Sequence, residues 1–258
     1  MVKTSSAGIV DLAFDNGCNA QALWLSPQQT SPQALEILHL NHLRPTLVVI
    51  GGAGLMTEES LQRLQTIFND VLAPLAIDMN LTVLDGGTDS GVIQMMGRAR
   101  HASGGQFPLI GVVPQGKAQL PNFQEVRDDE SRHALEPHHT SFFLIPGDEW
   151  GCESRWLADF ASLISSGQKS LTVLINGGKI ALTDLQANLA EGRPAIVMSG
   201  SGRLADTITA VMTGLPPEDV DPKIVELVNT YEPQGKLMHL DLSDPLPKIY
   251  QRLKQYFE

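Results

Sequence analysis

Two arginines in this chain stand at predicted helix starts, where a positive charge is mildly unfavourable. Arg155 comes shortly after Gly151, and Arg203 directly follows the turn at 200–202. A helix N-terminus already carries about half a positive charge. Backbone N–H groups and a guanidinium can together hold a phosphate, because arginine binds it through two parallel hydrogen bonds. We therefore predict an anion site at these arginines; the alternative is that they reach solvent or pair with neighbouring acids.

Other residue patterns exclude several familiar chemistries. Ser199 and Ser201 lack the G-x-S-x-G elbow, so a phosphate contact is expected rather than covalent catalysis. Neither a P-loop nor a G-x-G-x-x-G fingerprint is present, and no cofactor is predicted. The two cysteines, Cys18 and Cys152, provide no cysteine-based zinc motif, and adjacent histidines such as His138 and His139 have poor ligand spacing. We expect neither a structural metal nor a disulfide.

Six short apolar runs end in glycine-containing turns, and helical patterns fill most of the gaps between them. The runs are 46–50, 81–84, 109–113, 142–145, 171–175 and 195–198. Their spacing is close to the ~30 residues that a strand, a turn and a returning helix need. Continuous apolar strands alternating with helices predict an α/β fold with a mainly parallel sheet and helices on both faces.

The glycine turns lie at the predicted carboxyl ends of the strands, where sheets of this kind bind ligands. The turns at 51–54, 86–91, 147–151, 177–178 and 200–202 should therefore converge on one cleft. The alternative is that each glycine only permits a tight turn.

The flanking segments differ from this core, which covers 46–214. Residues 1–45 contain a predicted β-hairpin around Asp15-Asn16-Gly17 and a short helix at 34–43. The polar stretch 114–139 is predicted to be a long surface loop. Residues 215–258 add two helices, at 218–230 and 246–257, and a strand at 237–242. We interpret 1–258 as a single domain.

Composition excludes several classes of partner. The chain has 18 Lys and Arg against 29 Asp and Glu, a net charge of −11, and no basic cluster, so neither a nucleic-acid partner nor an anionic membrane surface is expected. No apolar run approaches the ~20 residues of a membrane-spanning helix, and the first residues lack a signal-peptide pattern. The expected location is the cytoplasm.

Four motifs resemble the SLOG domain at the N-terminus of melastatin-type TRP channels. They are Gly51-Gly52-Ala53, the string DGGTDSGVIQMMGRA at 85–99, LEPHHTSFFL at 135–144, and INGGKIALTDLQANLAEGRPAIVMSGSGRLAD at 175–206. Their order and spacing agree with the family from about residue 47 to 213.

The resemblance implies a Rossmann-like SLOG fold that binds a nucleotide-derived ligand, such as ADP-ribose or an NAD derivative, and acts as a sensor. Arg203 matches an arginine that contacts ADP-ribose in some channel members, and Arg155 matches another arginine at a helix start. His138 and Ser141 depart from the family pattern. A dimer is expected because such proteins commonly pair, with Leu246, Ile249, Leu253 and Phe257 offering an apolar face. The alternative is that this face packs on the chain's own sheet.

The turns and the resemblance together predict one set of ligand-binding residues. They are Gly51, Gly52, Ala53, Gly86, Gly87, Thr88, Ser90, Gly91, Gly147, Asp148, Arg155, Gly177, Gly178, Gly200, Ser201, Gly202 and Arg203.

A second SLOG branch, the LOG enzymes, cleaves nucleoside monophosphates to base and ribose phosphate. Its PGGxGTxxE motif is similar to the segment 146–155, but Arg155 takes the place of the glutamate. Glu153 can replace that carboxylate only if the helix start is shifted. A phosphoribohydrolase, or nucleotide N-glycosidase, is therefore the alternative to a sensor. An interaction module with a decayed site is a third possibility, against which the retained glycines and arginines argue.

Overall fold

The computed structural model describes residues 8–121 and 132–258, and its centre is a nine-stranded sheet. The strands of that sheet are β1 (Ile9–Ala13), β2 (Asn19–Trp24), β3 (Thr46–Gly51), β4 (Thr82–Asp85), β5 (Leu109–Pro114), β8 (Ser141–Ile145), β9 (Ser170–Ile175), β10 (Ala195–Ser199) and β11 (Leu237–Asp241). Two short strands, β6 (Ala118–Gln119) and β7 (His133–Ala134), form a separate pair. In the large sheet only β1 and β2 pair antiparallel, so the predicted mainly parallel sheet is confirmed.

Helices cover both faces of this sheet. They are α1 (Ser31–Ile37), α2 (Glu58–Ile67), α3 (Ala73–Asp78), α4 (Gly91–Ala102), α5 (Ser154–Ile164), α6 (Lys179–Ala190), α7 (Arg203–Met212), α8 (Pro222–Tyr231) and α9 (Leu246–Lys254). A π-helical turn, Phe68–Leu72, joins α2 to α3 and accommodates Pro74, which has no N–H to donate. None of the helices in the described residues is long and apolar enough to cross a membrane.

The strand order is β1-β2-β8-β5-β4-β3-β9-β10-β11. After β3, the chain adds β4, β5 and β8 on one side of that strand and then β9, β10 and β11 on its other side. The reversal places a switch point between β3 and β9, where sheets of this kind open a crevice for ligands. The fold is therefore Rossmann-like, as predicted.

Two hydrophobic cores explain why the central strands are apolar at every position. Val48 and Ile50 of β3 pack with α1 and α5–α8, whereas Leu47 and Val49 pack with α2–α4 and α9 on the opposite face. Alternate residues of a strand point to opposite faces, and both faces are covered here.

Several predicted boundaries in the flanks are wrong. The first helix runs from Ser31 to Ile37 rather than over 34–43, because Thr30 and Gln33 form a capping box before it and His39 takes a left-handed φ of 55° after it. Asp221 caps α8 and so starts that helix at Pro222 rather than at 218. The predicted hairpin around 15–17 is confirmed.

The apolar face suggested for a dimer is used within the chain. Ile249, Leu253 and Phe257 are buried in the core beside β11, and Leu246 packs against the same core. These residues therefore offer no free dimer surface, and the dimer stays a prediction from the resemblance.

Part of the predicted surface loop 114–139 is buried, and its charged side chains form an ionic network there. The segment 122–131 of this loop, with the charged run 127–130, lies outside the described residues. Glu136 accepts hydrogen bonds from His138 and His139, and Asp85, at the end of β4, accepts one from His139 at 2.8 Å. Burial opposes protonation of His139, but the Asp85 and Glu136 carboxylates outweigh it and raise the His139 pKa to about 9. The His139 ring pairs with one oxygen of each carboxylate, which allows this polar segment to lie inside the protein.

The network also positions the turn after β4. The amide of Gly87 donates to the Asp85 carboxylate, and the amide of Glu136 donates to the carbonyl of Gly87. The Glu136 carboxyl packs directly against Gly97 of α4, and a Cβ at Gly97 would collide with that carboxyl group.

We therefore expect Gly97→Ala to lower the free energy of unfolding by about 1–3 kcal/mol through overpacking. In an open helix the same change stabilises by about 1 kcal/mol. Denaturant unfolding measures the difference, with Arg98→Ala, on the exposed side of the same helix, as the control. A Gly97→Ala protein more stable than the wild type would contradict this description of the network.

Candidate functional site

One buried side chain, that of Asn176, joins three of the glycine turns. Its amide nitrogen donates to the carbonyl of Gly54 at 3.1 Å and to that of Ser201 at 2.6 Å. Its amide oxygen accepts from the backbone of Gly177 at 2.8 Å. The residue has a left-handed φ of 55°, which asparagine tolerates better than most residues. Asn176 therefore holds the turns after β3, β9 and β10 in one arrangement.

These turns surround a cleft of about 700 Å³ at the switch point. The predicted residues that line it are Gly51, Gly52, Ala53, Gly86, Thr88, Ser90, Gly91, Gly177, Gly178 and Arg203. Gly51 has a φ of 130°, and a Cβ there would overlap the carbonyl of Ile175 on β9. The close approach of β3 to β9 at the cleft floor thus requires glycine.

Arg203 lines this cleft between the turns after β3 and β9. Its Nη2 is 2.7 Å from where a Cβ of Gly178 would lie, and its Nη1 is 3.3 Å from the corresponding position at Gly54. The side chain is exposed, and no described carboxylate forms an ion pair with it. Its φ of 50° is strained for a residue with a Cβ. A free guanidinium is therefore held over the turn before α6.

Two helix N-termini also face the cleft. Helix α6 begins after Gly178 without a side-chain cap, and Lys179, Ile180 and Ala181 of its first turn line the wall. Helix α4 begins at Gly91, also without a side-chain cap. The first N–H groups of a helix have no partner within the helix and attract anions. Arg203 and the start of α6 together form a site for a negatively charged group.

Helix α7 does not contribute in the same way. The amides of Leu204 and Ala205 in its first turn donate to the carbonyls of Gly177 and Asn176. The Ser201 hydroxyl accepts from the backbone of Asn176 and donates to the carbonyl of Met198, so it is engaged in the scaffold. Gly200, Ser201 and Gly202 shape the turn without lining the cleft.

The structure does not bring Arg155 to this cleft. Arg155 lines a separate cleft with Gln29, Trp156 and Asp159. Gly87, Gly147 and Asp148 also lie outside the cleft lining: Gly87 packs against β5, and the loop with Gly147 and Asp148 packs against Gly116. The one-cleft prediction therefore holds for the turns after β3, β4 and β9 and for Arg203, but not for every predicted residue.

Two acidic side chains that the predicted set omits line the cleft wall. Glu153, just before α5, accepts from the backbone of Gly151 at 2.7 Å, and Asp184 of α6 accepts from the Ser154 hydroxyl at 2.5 Å. Burial raises the pKa of Glu153. Burial, together with the nearby Glu153 charge, raises the pKa of Asp184 to about 7. The cleft thus contains an acid that titrates near neutral pH.

An aromatic pair completes the lining. His133 and Trp150 meet edge to face, with ring centroids 5.4 Å apart. Such rings offer an apolar surface on which a base can stack. His133 lies outside the motifs of the sequence, and Trp150 lies in the segment 146–155 at a position that the LOG-type motif does not define, so the sequence patterns did not identify this pair.

Comparison with known proteins supports this fold. The family model described as SLOG in TRPM, prokaryote, matches residues 44–244. The chain belongs to this family. The matched region of this SLOG protein includes the switch-point cleft with its glycine turns, and family membership makes it a nucleotide-related domain.

Channel proteins are among its relatives. The chain is similar to mouse transient receptor potential cation channel subfamily M member 2, at 23% identity over 70% of this chain, and to a member-like 2 protein of Nematostella vectensis, at 21% over 83%. It spans only 14% and 16% of the length of those two proteins. The X-ray structure of TM1055 shares the fold, with a TM-score of 0.52 and 18% identity, covering 82% of this chain and 99% of that one.

The raised pKa of Asp184 predicts that the folded state becomes less stable as pH rises. Folding raises this pKa from its ordinary 3.8 to about 7, so the folded state takes up a proton in that window and stability falls as pH rises through it. Asp184→Asn keeps an acceptor for Ser154 without the charge. We expect its advantage in unfolding free energy over the wild type to grow by about 2–4 kcal/mol between pH 4 and pH 8.

Denaturant unfolding at several pH values tests this expectation. The exposed Asp70→Asn variant is the control and should show no such trend. A difference between Asp184→Asn and wild type that stays constant across this range would contradict the assignment.

Proposed function

We propose that this protein binds a nucleotide-derived phosphate ligand, such as ADP-ribose or an NAD derivative, in the switch-point cleft, and that it acts as a sensor of that ligand. The observation that carries the proposal is the unpaired guanidinium of Arg203, held between Gly54 and Gly178 beside the start of α6. A phosphate there receives charge-assisted hydrogen bonds from Arg203 and from the backbone.

The rest of the cleft suits the rest of a nucleotide. A volume of about 700 Å³ is within the range of small-molecule sites. The start of α4 supplies a second set of free N–H groups, which favours a ligand with more than one phosphate. The His133–Trp150 pair supplies a surface for the base. The resemblance to channel SLOG domains supports ADP-ribose as the first ligand to test.

Arg203→Ala should weaken the binding of ADP-ribose by about 10- to 150-fold. A hydrogen bond to a charged group contributes about 1.5–3 kcal/mol, and about 1.4 kcal/mol is a tenfold change in affinity. Titration calorimetry measures the change. Arg155→Ala is the matched control, because this exposed arginine lines the other cleft and should leave the affinity unchanged.

Two results would contradict the proposal. One is equal affinity of the Arg203→Ala and wild-type proteins, both folded by circular dichroism. The other is a loss of affinity confined to Arg155→Ala, which would move the ligand to the cleft beside α5.

A second function, hydrolysis of a nucleotide N-glycosidic bond, is favoured by the placement of Glu153. In the LOG-type motif Arg155 takes the position of the glutamate, but in this structure Glu153 faces the cleft and Arg155 faces away from it. Asp184, with a pKa of about 7, can give a proton to the departing base as the bond from that base to the sugar carbon breaks. Water adds to the same carbon and gives its proton to the Glu153 carboxylate.

Product analysis distinguishes the two functions. Nucleoside monophosphates and ADP-ribose are incubated with the protein, and free base and ribose phosphate are quantified by chromatography. Binding without base release supports the sensor. Base release that falls about 10²- to 10⁴-fold in Glu153→Gln, with ligand affinity retained, supports the hydrolase.

A further inference from the structure

A cysteine and two histidines that are far apart in the sequence meet outside the switch-point cleft. Cys18 lies in the turn between β1 and β2, His101 in the last turn of α4, and His138 in the segment before β8. One potential ligand atom from each lies within 4.8 Å of the other two. The expectation of no metal rested on spacing along the sequence, which does not detect three ligands from three separate elements.

One ring nitrogen of His138, Nε2, carries a lone pair that binds a cation when the exposed Asn16 side chain gives up its hydrogen bond to that nitrogen. The Asn16 amide nitrogen lies 3.2 Å from Nε2 of His138, and an amide nitrogen can only donate, so Nε2 is an acceptor. Nδ1 of His138 therefore carries the proton and donates to the Glu136 carboxylate at 2.6 Å. A metal-binding histidine commonly has this arrangement, in which a carboxylate orients the ring through the nitrogen that does not bind the metal.

The backbone that carries these ligands is held in place. Arg100, next to His101, donates to the carbonyls of Phe107 and His138, and so ties the end of α4 to the segment with His138. The backbone amide of Cys18 donates to the Asn16 side chain, which fixes the turn that presents the thiol. The His101 and His138 rings are 4.6 Å apart, centroid to centroid.

We infer that Cys18, His101 and His138 form a binding site for a zinc ion. One thiolate and two neutral imidazoles are a donor set that zinc binds with tetrahedral geometry, and three protein ligands leave the fourth position for water. Zn–S and Zn–N bonds of about 2.3 and 2.0 Å place tetrahedral ligand atoms about 3.3–3.6 Å apart. His101 is exposed and Cys18 and His138 are partly exposed, so small side-chain rotations bring the three atoms to that separation.

Zinc at this position joins the edge hairpin to α4 and to the buried ionic network. Glu136, which orients His138, also accepts from His139, and His139 donates to Asp85 below the Gly86-Gly87 turn. The ion therefore lies at the outer end of a continuous hydrogen-bonded path to the turn after β4, in which Gly86 lines the switch-point cleft. It stabilises the folded state because its three ligands are assembled only there.

The test is metal binding by the full chain after treatment with a chelator and a reductant. Titration calorimetry with zinc should show one ion per chain. Titration with cobalt, as a spectroscopic substitute, should give visible bands of a tetrahedral ion together with thiolate-to-metal charge-transfer absorption. The melting temperature should rise with added zinc.

Cys18→Ser and His101→Ala should each lower zinc affinity by at least about 10-fold, and Cys18→Ser should abolish the thiolate band. Both residues lie at or near the surface, so the variants should fold even where a change at His138 does not. The controls are Cys152→Ser and His42→Ala, whose side chains are exposed and lie outside the cluster.

Three outcomes would overturn the inference. They are cobalt binding without a thiolate band, affinities of Cys18→Ser and His101→Ala equal to that of the wild type, and controls that lose as much affinity as the cluster variants. The last two would mean that zinc binds adventitiously to surface histidines or elsewhere on the chain.

Discussion

The buried amide of Asn176 is the contact on which the candidate site depends. It satisfies carbonyls of the turns after β3 and β10 and accepts from the turn after β9, so three loops that enclose the cleft share one side chain. A buried amide that loses its partners costs free energy comparable to the hydrogen bonds themselves. The loops are therefore fixed relative to one another, and Arg203 extends from them into the cleft between Gly54 and Gly178.

Local electrostatics can make an acidic protein bind an anion. The chain has a net charge of −11, but the cleft combines Arg203 with the uncapped starts of α4 and α6. These partial and full positive charges are close to where a phosphate would lie, whereas exposed charges more than about 10 Å away are screened by salt. The strained backbone of Arg203 is consistent with an anion-binding role. Backbone strain persists only where the surrounding structure enforces it, and it is common at functional sites.

The alternation of apolar runs and glycine turns was enough to predict the parallel sheet and the position of the cleft, and the structure places Arg203 in the lining of that cleft. The orientation of residues in the first turn of α5 was not predictable. Positions 153 and 155 are about 200° apart around a helix, so only one of them can face the cleft, and the pattern did not define the phase.

Sequence patterns also could not identify the buried polar residues. Glu136 and His139 stand in a polar stretch that is typical of a surface loop, and only their pairing with each other and with Asp85 allows burial. The engagement of Ser201 with Asn176 and Met198 likewise depends on the meeting of two distant turns. Cys18, His101 and His138 come together for the same reason.

The most direct test of the switch-point site is a crystal structure of the protein with ADP-ribose. We predict the diphosphate over Gly177 and Gly178, with an oxygen within hydrogen-bonding distance of the Arg203 guanidinium and of backbone N–H groups at the start of α6. A ligand bound instead beside Arg155, in the cleft with Trp156 and Asp159, would contradict it.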